Sequence, residues 1–326
     1  MTLASGAAHS YTGGTSPSGI VGIREQLSDL IANISPEDTP FCSMIGTMVA
    51  DATLVEHQID ALAAAVTSNA QLEGDDFTTT TFVPTSRINA RCQISTKGVT
   101  VTGTVEALKK AGRGSDVAYQ VIQRTKEIKR DMEATCLSNQ ASTTGTTAVA
   151  RKTGGLVSWY ATTANASRGS GGSAGGWSSN NTAAATDAST ANMRAFTESL
   201  LKTVLQGVWT TGGNASVIMV GGAQKQVVST FTGNATRMDT SEDRKLVTSV
   251  DIYESDFGSL KVVPNRFQRN RDAHVLQPDM FKLAFLRPLQ VFDIARAGDS
   301  IKKELLTEWG LVSLNEAASG VVADIS

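Results

Sequence analysis

Two alternating stretches, held apart by a long and weakly patterned one, constrain this chain more than any other feature. LVEHQID, Leu54 to Asp60, reads as a strand, and in SRINARCQIS the apolar Ile88, Ala90, Cys92 and Ile94 alternate with Arg87, Asn89, Arg91 and Gln93. This period of two predicts a half-buried strand with a basic outer face, continued past Gly98 by Val99, Val101 and Val105. Between the two runs lie ALAAAVTSNAQLEGDDF and four threonines. Strands joined in this way form a long hairpin projecting beyond a core. Such a projection cannot bury its own faces and needs a partner surface.

The charges are sorted along the chain. Residues 1–86 hold one basic side chain, Arg24, against ten acidic ones, whereas residues 87–152 hold twelve basic against five acidic. The remainder is balanced at sixteen each. Segregation of this kind suggests that one segment meets another. The net charge of −2 argues against a dedicated nucleic-acid binder, whose domain is normally strongly basic. With 326 residues the chain has enough length for a sizeable core and for two domains or one elaborated domain. Cys42, Cys92 and Cys136 match neither a zinc spacing nor a disulfide framework, which is simplest in a reducing compartment. MTLASGAAHSYTGG lacks the basic and apolar regions of a signal peptide, and no apolar run is long enough to span a bilayer.

Residues 1–19 read as a flexible, Gly-rich arm. A short helix is expected over Ile23–Ile34, stopped by Ser35-Pro36, and SPEDTPF is expected to form an extended turn before Met44–Val49. Ser115 is a good N-cap for a long helix to about Asn139, with Val121, Thr125, Ile128, Met132 and Thr135 on its inner stripe. Residues 141–190 read as a small-residue surface excursion containing one ordered piece, TGGLVSWY. A second amphipathic helix is predicted over Ala191–Trp209, SVIMVGG as a buried strand and AQKQVVSTF as a helix. After Leu246 the chain reads as strands, with turn signals at DFG, VPN, RNRD, RP and AGD. The predicted class is α+β.

Chemistry-bearing motifs are scarce. His9, His57 and His274 show no paired metal spacing and read as surface or partly satisfied residues. The loose GxGxxA from Gly169 to Ala174 neither follows a strand nor opens a helix, so it does not predict dinucleotide binding. Glu73, Asp75 and Asp76 of QLEGDDF lack the framework of a calcium loop and read as an exposed acidic tip rather than a metal site. The residues therefore name no catalytic group, metal or cofactor.

In their order, several phrases resemble the major capsid proteins of tailed bacteriophages. ISPEDTPFCSMIG is similar to the family's N-terminal arm passage, and LVEHQIDALAAAVTSNAQLEGDD to its strand entering an extended loop with an "EGd" turn. SDVAYQVIQRTKEIKRDMEATCLSNQ resembles the long spine helix, and RKTGGLVSWYAT the piece after it. VDIYESDFGSLKVVPNRF and LRPLQVFDIARAGDSIKKELLTEWGLVSLNEAASGVV resemble the closing strands. His57 departs from the pattern, because relatives often carry Trp there.

The resemblance implies an arm (1–50), an extended loop (51–97), a peripheral domain with the spine helix and the Gly/Ser-rich excursion (98–189), an axial domain (190–250) and shared C-terminal strands (251–326). It implies a non-enzymatic shell protein without cofactors, assembled as hexamers and pentamers into an icosahedral head around double-stranded DNA. An encapsulin-like compartment is the alternative. Implied partners are a portal, a scaffolding protein, a possible decoration protein and weakly held DNA, with no membrane. The implied location is the virion, after assembly in the host bacterial cytoplasm. In this fold the loop lies over the next subunit, so Glu73, Asp75 and Asp76 would face a basic surface made of Arg87, Arg91, Lys109, Lys110, Arg113, Arg124, Lys126, Lys129 and Arg130. A merely solvated tip is the other reading of the same acids.

Overall fold

The computed structural model describes residues 35–76, 84–110, 112–178, 181–231 and 252–326. The predicted arm, the predicted helix Ile23–Ile34 and the threonine run lie outside them. In chain order come α1 (Pro40–Met44), β1 (Gly46–Val49), β2 (Leu54–Ile59), β3 (Ser86–Arg91), β4 (Gln93–Thr102), α2 (Gly103–Ala107) and α3 (Asp116–Cys136). Next are α4 (Leu156–Trp159), β5 (Ala166–Ser167), β6 (Gly176–Ser178), β7 (Asn181–Ala183), α5 (Glu198–Thr210), β8 (Val217–Val220) and α6 (Gly222–Val228). The chain closes with β9 (Ile252–Ser255), β10 (Gly258–Pro264), β11 (Asp272–Leu276), β12 (Phe281–Ile294), β13 (Ser300–Ser313) and β14 (Gly320–Ala323).

Two sheets organise these elements. One has the strand order β1-β12-β13-β4, and the other β5-β14-β11-β8-β10-β9. The central strand of the larger sheet, VIMV, is buried on both faces. Val217 and Met219 join the core that also holds α3 and the smaller sheet, while Ile218 and Val220 pack with Leu201, Val204, Leu205 and Val208 of α5. A strand covered on both sides reads as a continuous apolar run, as this one does.

The long helix begins where Ser115 caps it, its side chain accepting the N–H of Ala118 at 3.2 Å. Its apolar stripe also contains a charge: Glu133 is 0% exposed. The Glu133 carboxylate accepts Phe41 N and Cys42 N, each at 2.8 Å, and Asn265 Nδ2 at 2.6 Å. With Pro40 at the first helical position, these two amides are orphan donors of α1, so the carboxylate satisfies a helix start that would otherwise be buried unpaired.

Several expectations change. SPEDTPF does not stay extended: its Pro40-Phe41 opens α1. The strand predicted through Ile94 breaks at Cys92, whose N–H bonds Thr53 O at 2.9 Å while Gln93 begins a new pairing with Trp309. The alternation slips by one there, leaving Ile94 48% exposed. Gly310 permits the crossing, since a Cβ on it would lie 2.6 Å from Arg91 O. Val105 belongs to α2 rather than a strand and is exposed.

The second amphipathic helix starts later than predicted, at Glu198, because Arg194 is held extended: its N–H bonds Asp324 O at 2.8 Å and its carbonyl accepts Ser326 N at 2.9 Å. The RP signal is no turn; Pro288 lies within β12, where the register with β13 shifts twice. A proline there removes a ladder donor, and the bulge absorbs the loss. The small-residue excursion is not a loose surface segment. The piece expected to be ordered is buried from Leu156 to Tyr160, and beyond that expectation the Gly-rich stretch packs so closely on Asp324 that a Cβ on Gly172 would meet Asp324 Oδ2 at 2.6 Å.

Replacing Glu133 by Ala should lower the unfolding free energy by about 3–5 kcal/mol, because buried donors from two other segments lose their acceptor. Glu127→Ala on the solvent side of the same helix, where the carboxylate pairs with Arg124 at 2.6 Å, should cost about 1 kcal/mol or less. Denaturant titration of the unassembled variants measures the difference.

Candidate subunit interface

The hairpin β2–β3 pairs from Leu54↔Arg91 to Ile59↔Ser86, and its loop end is tied by Thr85 Oγ1 donating to Gln58 Oε1 at 2.9 Å. Beyond it the described chain leaves the core, and every residue from 60 to 76 is exposed. Gly74, at φ 89°, sits in a turn in which Asp75 N donates to Leu72 O at 3.1 Å. Asp75 Oδ1 accepts Asp76 N at 2.9 Å. Glu73, Asp75 and Asp76 therefore crowd one turn, and among the described residues none of them has an ion-pair partner. Apolar side chains accompany them: Leu62 is 99% exposed, Leu72 81% and Val66 68%. The stretch is weakly patterned in sequence, and its large apolar groups exposed on a protrusion mark it as a candidate contact segment.

The predicted basic residues do not form one patch. Arg87 lies at the hairpin's own loop end and pairs with Glu56 at 3.4 Å, while Arg91 is half-buried on β3. Lys110 pairs with Glu106 at 3.0 Å and with Asp116 at 2.8 Å, and Arg113 also pairs with Asp116. On α3, Arg124 pairs with Glu127 at 2.6 Å, Lys126 with Glu37 at 2.7 Å, and Arg130 lies 5.8 Å from the centre of the Phe267 ring. Lys109 and Lys129 are exposed, with no carboxylate partner among the described residues. Within one chain the acidic tip touches none of these cations. Of the set, Lys109 and Lys129 are therefore the two with no charge partner among the described residues.

A second charged group, unrecognised in the sequence, lies beneath the larger sheet. Asp324, in the left-handed region at φ 59°, accepts Gly169 N at 3.1 Å, Ala188 N at 2.9 Å and Arg271 Nη2 at 2.5 Å. Burial would raise its carboxyl, and these donors hold it below the usual range instead. Arg269 pairs with Asp187 and, at 3.1 Å, with Asp272. Asp272 and His274, two apart on β11, point to the same face and are both 0% exposed. His274 is thus a buried residue rather than a surface one, stacked on Tyr160 at 5.7 Å, and neither ring nitrogen has a hydrogen-bond partner among the described residues. The RNRD phrase was the available signal, and it read as a turn. His57 behaves as expected, its Nε2 lying 3.2 Å from Leu314 O. Among the described residues no group of His, Cys, Asp or Glu is placed to hold a metal, and no helix is long and apolar enough to cross a membrane.

A model of the SU10 major capsid protein family matches residues 7–326. The chain belongs to that family. The major capsid protein of Escherichia phage Phieco32 is 28% identical to it over 338 residues, covering 92% of this chain and 94% of the relative. The fold of this capsid protein is that of solved phage shells. It is similar to the capsid of the native GTA particle (TM-score 0.63, 14% identity, 94% and 97% of the two chains). It is also similar to the capsid of cyanophage A-1(L) (TM-score 0.62, 13% identity, 93% and 97%). The SrpI encapsulin of Synechococcus elongatus PCC 7942 shares the fold at TM-score 0.54 and 11% identity, with 93% of each chain covered. This chain is a phage major capsid protein, a structural subunit of the virion shell.

The buried pair on β11 gives the capsid protein an unusual acid response. Burial pushes Asp272 up to about 6, partly opposed by Arg269, and pushes His274 down to about 3, reinforced by Arg269 and Arg168. Free aspartate and histidine titrate near 3.9 and 6.5. Between about pH 4 and 6 the folded chain holds a proton on Asp272 that the unfolded chain lacks, so this group's contribution weakens as pH rises. Over the same window the unfolded chain holds a proton on His274 that the folded chain lacks, so the histidine's contribution weakens as pH falls. The two slopes oppose each other. Asp272→Asn should remove one and leave stability falling by about 1.4 kcal/mol per unit as pH drops from 6 to 4 relative to wild type, measured by denaturant midpoints.

Proposed function

We propose that this capsid protein assembles through hexameric and pentameric rings into an icosahedral head around double-stranded DNA, and that it acts structurally, with no catalytic step or cofactor. The observation that carries the reading is the exposed segment 60–76, with Leu62 99% in solvent on a protrusion the chain's own core cannot cover. In this proposal the segment lies on the peripheral part of a neighbouring subunit. Residues 1–50 act as arm, 51–97 as extended loop, 98–189 as peripheral domain, 190–250 as axial domain and 251–326 as strands shared between the two. A portal and a scaffolding protein take part in assembly in the bacterial cytoplasm, and a decoration protein can sit outside. The small net charge of −2 fits DNA that is confined by the shell rather than gripped.

Glu73, Asp75 and Asp76 supply the polar half of the contact. Lys109 and Lys129 of the neighbour, which have no carboxylate partner among the described residues, are the cations that pair with them. Arg87, Arg91, Lys110, Arg113, Arg124, Lys126 and Arg130 add to the local positive field rather than forming pairs of their own. An exposed pair contributes only about 0–1 kcal/mol, so the charges select register while Leu62, Val66 and Leu72 supply burial. Repetition around a ring, where each subunit gives and receives a loop, makes the weak contacts additive. Nuclease-protected DNA in purified particles tests the DNA-filled head.

The double variant Asp75→Lys with Asp76→Lys should lower the yield of closed particles by on the order of tenfold, scored by electron microscopy, and Lys109→Glu with Lys129→Glu should restore part of it. Normal assembly of the first variant at every ionic strength would reduce the cluster to a solvated tip. Residues 51–86 contain no lysine, so the loop cannot be welded to a neighbour through one. Boiled particles should run as 34.2 kDa chains, and a ladder of covalent multimers would contradict this.

A further inference from the structure

Cys42 lies on α1, and Cys136 is the last residue of α3. Both side chains pack into the main core, where Cys136 is fully buried and Cys42 only partly so. The approach is enforced by the backbone: Cys42 N and Phe41 N both bond the Glu133 carboxylate, which stands one turn before Cys136 on the same helix. Phe41 is anchored independently, with its ring centre 6.4 Å from that of Phe281. Two cysteines far apart in sequence are thus brought to the same region of the core by contacts in which neither sulfur takes part.

We propose that Cys42 and Cys136 are an oxidisable pair whose disulfide staples α1 to the end of α3. The oxidant is a low-molecular-weight disulfide, of the kind encountered outside a reducing compartment. Cys42, the accessible member, attacks one reagent sulfur as its thiolate and expels one reagent thiol, leaving a mixed disulfide on Cys42. The Cys136 thiolate then attacks Cys42 Sγ and expels the second. Two protein S–H bonds and the reagent S–S bond are exchanged for one protein S–S bond and two reagent S–H bonds, with two electrons passing to the reagent. Donation of the Cys42 S–H toward Cys136, burial and the nearby Glu133 charge all raise the Cys42 thiol, which makes the closure slow and keeps the dithiol stable where thiols are plentiful. Cys92 is separate, with its Sγ 4.0 Å from Ala52 O and its thiol pushed up to about 11 by burial and Glu308. It serves as an internal control.

The test is incubation of the folded, unassembled full-length protein with oxidised glutathione, followed by thiol counting and peptide mapping. The expected result is loss of two of the three thiols, a linked peptide pair containing Cys42 and Cys136 at single-chain mobility, and a melting temperature raised by a few degrees and reversed by reductant. Cys42→Ser and Cys136→Ser should each abolish both the link and the shift. Persistence of three thiols while a denatured control oxidises, a glutathione adduct that stops on Cys42, a link between chains, or the same thermal shift in Cys42→Ser would each overturn the proposal. None of these readouts depends on shell assembly.

Discussion

The fold turns on one carboxylate. Glu133 sits at 0% exposure, and among the described residues its partners are donors rather than cations: two amides of α1 and the Asn265 side chain. Burying a charge this way is unfavourable unless its lone pairs are filled, and here they are filled by groups from residues 41, 42 and 265. The arrangement draws together the start of the described chain, the long helix and the turn after β10. It also sets where Phe41 enters the core against Phe281. Apolar packing alone would tolerate α1 sliding along the helix, because hydrophobic contact is non-directional. Three fixed hydrogen bonds do not.

Around that anchor the molecule divides into a firm part and an unfinished part. The larger sheet is covered on both faces, and the Gly-rich stretch that looks like a linker is pinned through Gly169 to the buried Asp324. The hairpin beyond Ile59 has no such support: its acids and its leucines alike face solvent in the single chain. A subunit that must fit its neighbours gains from this contrast. The body preserves its shape, and in the proposed assembly the protruding segment presents contact groups to another copy.

Local signals were legible in the sequence and distant ones were not. Ser115 announced α3 because capping is settled within one turn, and VIMV announced a buried strand because its composition suffices. Glu133 stayed hidden because a glutamate in a helix resembles a solvated one until the segments that donate to it are placed. Asp116 did the same: it neutralises Lys110 and Arg113 from the first turn of α3, so much of a basic block that looked available is answered within the chain. The slip at Cys92 follows from a change of pairing partner, which no alternation records. As for the acidic tip, residues 73–76 showed their exposure in composition, but composition alone names no partner for them.

The smaller sheet carries a consequence for synthesis. Its β1 pairs in parallel with β12 and its β4 lies against β13, so residues 46–49 and 93–102 cannot complete their ladders until residues 281–313 have been made. Pairings so distant in sequence are slow to form, and the early strands emerge from the ribosome with unpaired edges. For most of translation the first third of this chain is a sheet without its centre. A chain in this state is more exposed to misassembly before it is finished than after.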